Sequence, residues 1–416
     1  MDHRSADQGA GRPLKVMSVF GTRPEAIKMA PLVKELERRE EFESYCCVTA
    51  QHRQMLDGVL EIFPLKPQFD LDIMEPRQTL STITSKCLLG LEKVFEQLRP
   101  DLVLVHGDTS TTFAGALAAF YQKITIGHVE AGLRTGDKYS PFPEEMNRSL
   151  VGRLADLHFC PTWANRANLE REGISKGVYV TGNTVIDALR TTVVKDYHFA
   201  TDTLNQIDYE KKRVVLVTCH RRENYGQPME QIMTALRLLA QRYSDEMELI
   251  YPVHLSPVVQ EAAHRHLDGL ANVHLIQPLA ADEMHNLMAR SYLVMTDSGG
   301  LQEEAPALGK PVLVLRQETE RPEAVEAGTV KIAGVETGRV LNLAEELMDS
   351  PQAYREMAHA VNPYGDGQAC RRIADAIAFA ITGVTFFGSS KLDSLYHNNS
   401  VKVDIAGTIE SIARID

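Results

Sequence analysis

Residues 293–321 read LVMTDSGGLQEEAPALGKPVLVLRQETER and decide the fold class. The run Leu293–Thr296 has the length and apolar character of a buried strand, Asp297–Gly300 turns the chain, and a helical segment opens at Leu301. A second apolar run, Val312–Leu315, follows that helix. A strand, a helix and a strand in this order form a βαβ unit, which implies a parallel sheet.

The same alternation runs through most of the 416 residues. The predicted strands are apolar without alternation, as expected of strands covered on both faces. The first set is Val16–Phe20, Cys46–Ala50, Leu102–His106, Ile124–Val129 and Leu157–Cys160, and the second is Val214–Cys219, Leu249–Val253, Val273–Ile276, Leu293–Thr296 and Val312–Leu315. The polar stretch Thr191–Lys212 separates the sets. We predict an α/β protein with two Rossmann-like, doubly wound domains facing a central cleft.

The predicted domains are an N-terminal one over 13–195 and a C-terminal one over 196–362. A disordered leader is expected over 1–12. Residues 383–416 do not continue the βαβ rhythm and are interpreted as an appended tail.

Composition narrows the class of protein. The formal net charge is −12, which disfavours nucleic acid as a partner because such binding relies on phosphate neutralisation. No apolar run approaches the roughly 20 residues needed to span a bilayer, and the first residues lack the apolar core of a signal peptide, so a cytoplasmic location without membrane association is expected. The sequence has no CxxC or HExxH motif, no GxGxxG after a strand, and no GxxxxGK[ST] or GxSxG. These absences disfavour a zinc site, a nicotinamide or flavin site, a P-loop and a hydrolase nucleophile elbow, and so neither a metal nor a redox cofactor is indicated.

Basic residues follow strands at three places, the third being Arg316 and Arg321 after Val312–Leu315. Arg23 and Lys28 lie in GTRPEAIKMAP after the first strand, and His220 opens HRREN after the first strand of the second set. Gly299 and Gly300 precede a helix whose N-terminus suits phosphate, and Glu304 lies about one turn further. Capped helices with solvated charges would explain each turn separately. Cations at turns of both domains favour an anionic ligand.

Carboxylates follow two strands of the first domain. Asp108 comes after Leu102–His106, Glu130 ends the next strand, and Glu144 lies in the loop beyond it. An N-cap role for Asp108 stays open. Three carboxylates at one sheet edge favour acid and base chemistry, because neighbouring carboxyl groups push their pKa values apart.

Nine motifs together closely resemble the non-hydrolysing UDP-N-acetylglucosamine 2-epimerase family. They are GTRPEAIKMAP, HGDT, HVEAGLRT, PFPEEMNR, TGNTVID, TCHRREN, PVHLSP, TDSGGLQEEAP and TERPE, in the family's order. The resemblance implies a GT-B type fold, with a helix over 363–382 crossing back to the N-terminal domain. It also implies interconversion of UDP-N-acetylglucosamine and UDP-N-acetylmannosamine, no cofactor, a homodimer, and a role in polysaccharide biosynthesis.

The resemblance also assigns residues. The catalytic positions it implies are Asp108, Glu130, Glu144 and His220. The UDP and substrate positions are Arg23, Lys28, Gln277, Met284, Ser298, Gly299, Gly300, Glu304 and Arg321. A second, activating UDP-N-acetylglucosamine would contact Gln51, Gln54, Arg77, Arg222 and His254. Ala281 and Met284 stand where the family often has aromatic residues near uracil, which removes a stacking contribution.

The reaction chemistry favours elimination. The proton at C2 is not next to a carbonyl, so simple deprotonation is prohibitive, whereas loss of UDP across C1–C2 gives a 2-acetamidoglucal to which UDP can add again. A GT-B glycosyltransferase with a UDP-sugar donor, a hydrolysing epimerase and a non-catalytic nucleotide-sugar sensor are the alternatives.

Overall fold

The computed structural model describes residues 12–382, which form two compact units. Within this range the first unit comprises 12–184 and 368–382, and the second comprises 185–367. Each unit is a parallel sheet with helices between its strands, and this confirms the predicted fold class. The leader over 1–11 and the tail over 383–416 lie outside the described residues.

The first unit contains a seven-stranded parallel sheet in the order β3-β2-β1-β4-β5-β6-β7. Its strands are β1 (Leu14–Phe20), β2 (Phe42–Val48), β3 (Phe69–Asp70), β4 (Leu102–His106), β5 (Thr125–Val129), β6 (Leu157–Cys160) and β7 (Val178–Val180). Its helices are α1 (Arg23–Glu37), α2 (Arg53–Ile62), α3 (Leu80–Leu98), α4 (Ser110–Tyr121), α5 (Glu144–Leu154) and α6 (Trp163–Arg171). The reversal of strand order between β1 and β4 is the switch point at which doubly wound sheets bind ligands.

The second unit repeats the plan with six parallel strands in the order β10-β9-β8-β11-β12-β13. They are β8 (Arg213–Thr218), β9 (Met247–Pro252), β10 (Val273–Ile276), β11 (Leu293–Thr296), β12 (Val312–Val314) and β13 (Val330–Ile332). Its helices are α7 (Thr184–Thr192), α8 (Asp202–Asn205), α9 (Gln227–Arg242), α10 (Pro257–Leu267), α11 (Ala281–Arg290), α12 (Gly299–Ala307), α13 (Pro322–Glu326), α14 (Thr337–Asp349) and α15 (Pro351–Ala358). The first of them, α7, begins at Thr184, the last residue of the N-terminal segment of unit one. A buried apolar cluster lies between sheet and helices.

The last helix of the described residues, α16 (Ala369–Thr382), belongs to the first unit and packs against α1. Arg39, just after α1, pairs with Asp375 at 2.7 Å. Arg372 donates to the carbonyl of Thr181 at 3.1 Å. Within the described range no helix is long and apolar enough to cross a membrane.

Several strand bounds differ from the predictions. The second strand is predicted at Cys46–Ala50, but β2 runs from Phe42 to Val48. Ala50 has φ +53°, outside the extended region, so the strand ends before it. The strands β3, β7 and β13 have only two or three residues each, too few to give an apolar run in the sequence.

Candidate functional site

Glu130 lies one residue beyond β5 with φ +61°, a conformation uncommon outside glycine and asparagine. Lys28 Nζ, from the second turn of α1, lies 2.5 Å from its Oε1, and Asn183 Nδ2 donates to the same oxygen at 3.2 Å. His106 Nε2, from the end of β4, lies 3.2 Å from Oε2. Burial lowers the pKa of His106 to about 4, against the pull of Glu130, so this imidazole is neutral at pH 7. Lys28 and Asn183 therefore hold one oxygen of the Glu130 carboxylate, and the neutral His106 ring lies beside the other.

Asp108 occupies a different environment at the neighbouring strand end. Arg148 Nη2, from α5, lies 2.7 Å from Asp108 Oδ2, and Asn147 donates to the backbone carbonyl of Asp108 at 2.8 Å. Burial raises the pKa of the Asp108 carboxyl; Arg148 opposes that shift, and Glu130 and Glu144 add to it. Asp108 therefore favours the protonated form more than an ordinary aspartic acid does.

The open N-cap alternative for Asp108 is wrong. The N-cap of α4 is Thr109, whose hydroxyl accepts from the backbone N–H of Thr112 at 3.1 Å. Asp108 precedes the cap, and its carboxylate is directed to Arg148 instead. The sequence GDTST contains several capping residue types, so the pattern did not distinguish them.

Two adjacent glutamates open α5 and differ in environment. Glu145 is buried and accepts the backbone N–H groups of Thr135 and Gly136 at 3.1 and 3.0 Å. Glu144 is the first residue of the helix and is half-buried. Glu145 thus anchors the preceding loop, whereas Glu144 remains the candidate for chemistry.

The turn after β1 is organised by a buried carboxylate that we did not predict. Glu25 accepts from the N–H of Gly21 at 3.0 Å and of Thr22 at 2.8 Å, and from the hydroxyls of Thr109 and Thr112 at 2.7 and 3.0 Å. Burial raises its pKa, and these hydrogen bonds oppose the shift. Thr22 and Glu25 form a capping box, a signal present in the sequence. This network fixes the start of α1, where Arg23 lies half-buried.

In the second unit, His220 follows β8 in a loop held by Asp297. The buried Asp297 Oδ2 accepts from the backbone N–H groups of His220 and Arg221, both at 2.7 Å, and from Asn224 Nδ2 at 3.1 Å. His220 Nδ1 lies 3.5 Å from Oδ1 of the same aspartate. The His254 ring stacks on His220 with centroids 5.2 Å apart. Burial lowers the pKa of His220, with Asp297 opposing the shift.

The predicted phosphate-binding segment, with Gly299 and Gly300, lies at the start of α12. Ser298 is its N-cap, and Gly299 is the first helical residue. A Cβ on Gly299 would lie 3.7 Å from Arg321 Nη2 and 3.9 Å from Arg221 Nη2. The two guanidinium groups therefore lie beside the helix N-terminus, where a phosphate is favoured. Glu303, which is buried, pairs with Arg321.

The remaining predicted ligand positions of unit two lie on α12, on α11 and just after β10, an outer strand of the sheet. Glu304 Oε2, from α12, lies 3.5 Å from His285 Nε2, and His285 Nδ1 shares a 2.7 Å hydrogen bond with the Thr192 hydroxyl. Gln277 is exposed just after β10, and Met284 is half-buried on α11. Met284 and His285 are thus neighbours on one helix, whereas Gln277 belongs to the loop that follows an outer strand of the sheet.

The predicted activator positions are divided between the units. In unit one, Gln51 accepts from the Thr111 hydroxyl at 3.2 Å, while Gln54 and Arg77 are exposed. In unit two, Arg222 lies in a 3-10 turn beside His220, and His254 is stacked on His220. The structure therefore brings His254 and Arg222 close to a predicted catalytic residue within their own unit.

Five candidate functional residues were not predicted from the sequence: Asn183, His106, Arg148, Asp297 and Glu303. All lie inside motifs that were recognised or directly beside them, but each acts on another side chain through tertiary contact. No local pattern reports such pairings. Among residues 12–382, no group of three or more His, Cys, Asp or Glu residues is arranged to hold a metal ion.

Comparison with known proteins assigns the family. The family model described as UDP-N-acetylglucosamine 2-epimerase matches residues 34–378. The UDP-N-acetylglucosamine 2-epimerase of Bacillus subtilis is 56% identical over 369 residues, covering 88% of this chain and 96% of that protein.

Among the similar solved structures are ones with bound ligands. The S. aureus MnaA–UDP co-structure is 52% identical with a TM-score of 0.80, covering 90% of this chain and 99% of that one. The UDP-GlcNAc 2-epimerase of Neisseria meningitidis, bound to UDP-GlcNAc, is 47% identical with a TM-score of 0.79, covering 88% and 99%. By sequence and by fold, this chain belongs to the UDP-N-acetylglucosamine 2-epimerase family, and it is an isomerase.

Proposed function

We propose that this protein interconverts UDP-N-acetylglucosamine and UDP-N-acetylmannosamine by eliminating UDP across C1–C2 and adding it back to the 2-acetamidoglucal. One observation carries the mechanism. Two carboxylates at adjacent strand ends of unit one have unlike environments, Glu130 beside an ammonium and Asp108 in a buried site that raises its pKa. Unlike neighbouring carboxyl groups are the pattern of an acid and base pair.

The roles follow from these environments. Glu130, ion-paired with Lys28 at 2.5 Å, is suited to accept the C2 proton as a carboxylate. Asp108, whose pKa burial raises, is suited to hold a proton and deliver it to the opposite face of C2. The negative charge of Glu144 adds to the rise in the pKa of Asp108 and so favours the protonated form of Asp108. In the reverse reaction the two roles exchange.

The leaving diphosphate is assigned to unit two. The start of α12 and the guanidinium groups of Arg221 and Arg321 supply positive charge on one side of Gly299. We assign the ribose hydroxyls to Glu304, which lies further along the same helix. The UDP in the S. aureus structure and the UDP-GlcNAc in the Neisseria structure support a ligand of this class. Stabilising the departing diphosphate lowers the barrier to C1–O cleavage.

The finer properties of the family are proposed together with the reaction. They are activation by a second UDP-N-acetylglucosamine at Gln51, Gln54, Arg77, Arg222 and His254, a homodimer, and cytoplasmic synthesis of a polysaccharide precursor. Activation has a direct kinetic test. The reverse reaction from purified UDP-N-acetylmannosamine should show a lag that a trace of UDP-N-acetylglucosamine abolishes; linear progress from the start would remove the activation proposal.

Proton and carbon NMR in D₂O tests the reaction. UDP-N-acetylglucosamine incubated with the protein alone should yield the manno epimer with deuterium at C2. Epimer that retains its original hydrogen contradicts elimination. Sugar transfer only when an acceptor is added would identify a glycosyltransferase, and release of free N-acetylmannosamine with UDP would identify a hydrolysing epimerase. A ligand that binds and stays unchanged would identify a sensor.

A further inference from the structure

Asp297 is a buried carboxylate that the reaction scheme does not use. It has no exposed surface and follows β11 directly, one residue before the N-cap of α12. Its Oδ2 takes three hydrogen bonds from the His220 loop. Its Oδ1 has no hydrogen-bond partner within residues 12–382 and lies 3.5 Å from His220 Nδ1. A buried carboxylate oxygen with that neighbour favours a proton on Nδ1.

This arrangement determines what His220 can offer to a ligand. With Nδ1 protonated and facing Asp297, the neutral ring has a lone pair on Nε2. A lone pair repels the oxygens of a diphosphate, so the neutral ring cannot donate to one. Only the imidazolium ion carries a proton on Nε2 while keeping Nδ1–H toward Asp297.

We infer that His220 takes up a proton when a uridine diphosphate group binds, and that Asp297 is the positioning residue that makes this uptake obligatory. The inference rests on the proposed function, because it places the diphosphate at α12. The His220 imidazolium ion then donates from Nε2 to the diphosphate, and His220 carries this positive charge only in the bound state.

The groups around His220 agree with this order of events. Burial, His254 and Arg221 all lower the pKa of His220 in the free protein, and Asp297 only partly offsets them. His254 Nδ1 accepts from the backbone N–H of Ser256 at 3.0 Å, so its neutral tautomer carries the proton on Nε2. A diphosphate adds negative charge and raises the pKa of His220. UDP affinity should therefore be greatest at low pH and fall as pH rises from the free to the bound pKa of His220.

Isothermal titration calorimetry measures the uptake. UDP is titrated into the full-length protein at about pH 7.5 in two buffers with different ionisation enthalpies. At this pH the terminal phosphate of UDP, with a second pKa of ~6, is almost fully ionised and contributes little to the proton count. The buffer dependence of the binding enthalpy gives the number of protons exchanged. Wild-type protein should take up a sizeable fraction of one proton per UDP.

Three variants locate that proton. His220→Gln, at a partly exposed side chain, should bind UDP about tenfold or more weakly and without proton uptake, because a charge-assisted hydrogen bond is lost. His254→Gln removes the stacked ring and should retain the uptake. Asp297→Asn can still accept from the two backbone N–H groups, but its amide can donate to Nδ1 and reverse the tautomer. It should bind UDP with little or no uptake.

The Asp297→Asn result separates positioning from a structural role. A variant that had merely loosened the loop would bind weakly yet keep the proton uptake, and that outcome overturns the role of Asp297; a urea unfolding curve matching wild type confirms its fold. Uptake that persists in His220→Gln, or that disappears in His254→Gln, overturns the assignment to His220. Wild-type binding of UDP with no proton exchange defeats this inference alone, whereas failure to bind UDP defeats the proposed function.

Discussion

The carboxyl edges of the two sheets have the same architecture and opposite chemistry. In unit one, the strand ends carry Asp108 and Glu130 within a network of buried polar groups. In unit two, the corresponding edge carries His220, two guanidinium groups and a glycine-rich helix start. The doubly wound fold supplies the edge, and the residues placed on it decide between proton transfer and anion binding. Changes in unit one should therefore affect kcat, and changes in unit two should affect UDP binding.

The largest effect is expected for Glu130→Gln. It removes the base but keeps the shape of the side chain, so kcat should fall about 10²–10⁴-fold, as for loss of a general base, while UDP binds as in wild type. NMR of epimer formation and calorimetry of UDP binding check the two halves. Glu170→Gln, at an exposed ion pair with Arg166 in the same unit, is the control and should remain within about twofold. If Glu130→Gln weakened UDP binding as strongly as it lowers kcat, the assignment of proton transfer to unit one and anion binding to unit two would be contradicted.

Acid should destabilise unit one first. Burial lowers the pKa values of His106, His128 and His158 to about 4, 3 and 4, against ~6.5 in an unfolded chain. Between about pH 6.5 and 4 the unfolded chain binds more protons, so stability falls as pH falls, by up to about 1.4 kcal/mol per pH unit for each histidine.

Urea unfolding at several pH values, followed by limited proteolysis and mass spectrometry, measures this difference between the units. Cleavage sites should appear in residues 12–184 before they appear in 185–367. His158→Gln should make the pH dependence shallower, because one protonation site is removed. Simultaneous loss of both units, with an unchanged slope in the variant, would contradict the prediction.

Glu303→Gln should weaken UDP binding about ten- to a hundredfold. The buried Glu303 carboxylate pairs with Arg321, and without that charge the guanidinium loses its orientation beside Gly299. KM should rise, and kcat should fall as well, because Arg321 also stabilises the departing diphosphate. The control is Glu346→Gln, which breaks the exposed pair with Lys331 in the same unit. A fall in kcat with KM unchanged would place Glu303 in the chemistry instead.

The smallest effect is expected for Gly300→Ala. The added Cβ would lie 3.1 Å from Glu304 Oε1, so the glutamate must shift by a few tenths of an ångström. UDP binding should weaken about three- to tenfold as its hydrogen bonds distort. Gly338→Ala, in α14 with no atom within 4 Å of the new Cβ, should bind UDP as wild type does. Unchanged UDP binding in Gly300→Ala would contradict the assignment of Glu304 to the ribose hydroxyls.

The sequence predicted the fold well because the fold depends on repeated local signals. The bounds of β4, β6, β10 and β11 match the predictions residue by residue. The two-residue strand β3 was missed, since a pair of residues has no periodicity. Its last residue, Asp70, and the nearby Asp72 both pair with Arg53 at the surface.

The site was predictable only in part. Motif order pointed to Glu130 and His220, but nothing local distinguishes Glu144 from Glu145, which differ because successive helical residues point about 100° apart. The partners Asn183 and Asp297 are 53 and 77 residues away from the side chains they serve. Such pairings arise from the meeting of strand ends, which a single sequence does not report.

Glu25 has a consequence for engineering. A single carboxylate joins the loop after β1 to the loop after β4 through Thr22, Thr109 and Thr112. The two loops therefore behave as one inherited module. A chimaera that exchanges only one of them with a distant relative leaves a buried charge without its donors, so crossover points for recombination belong outside 21–112, not between these loops.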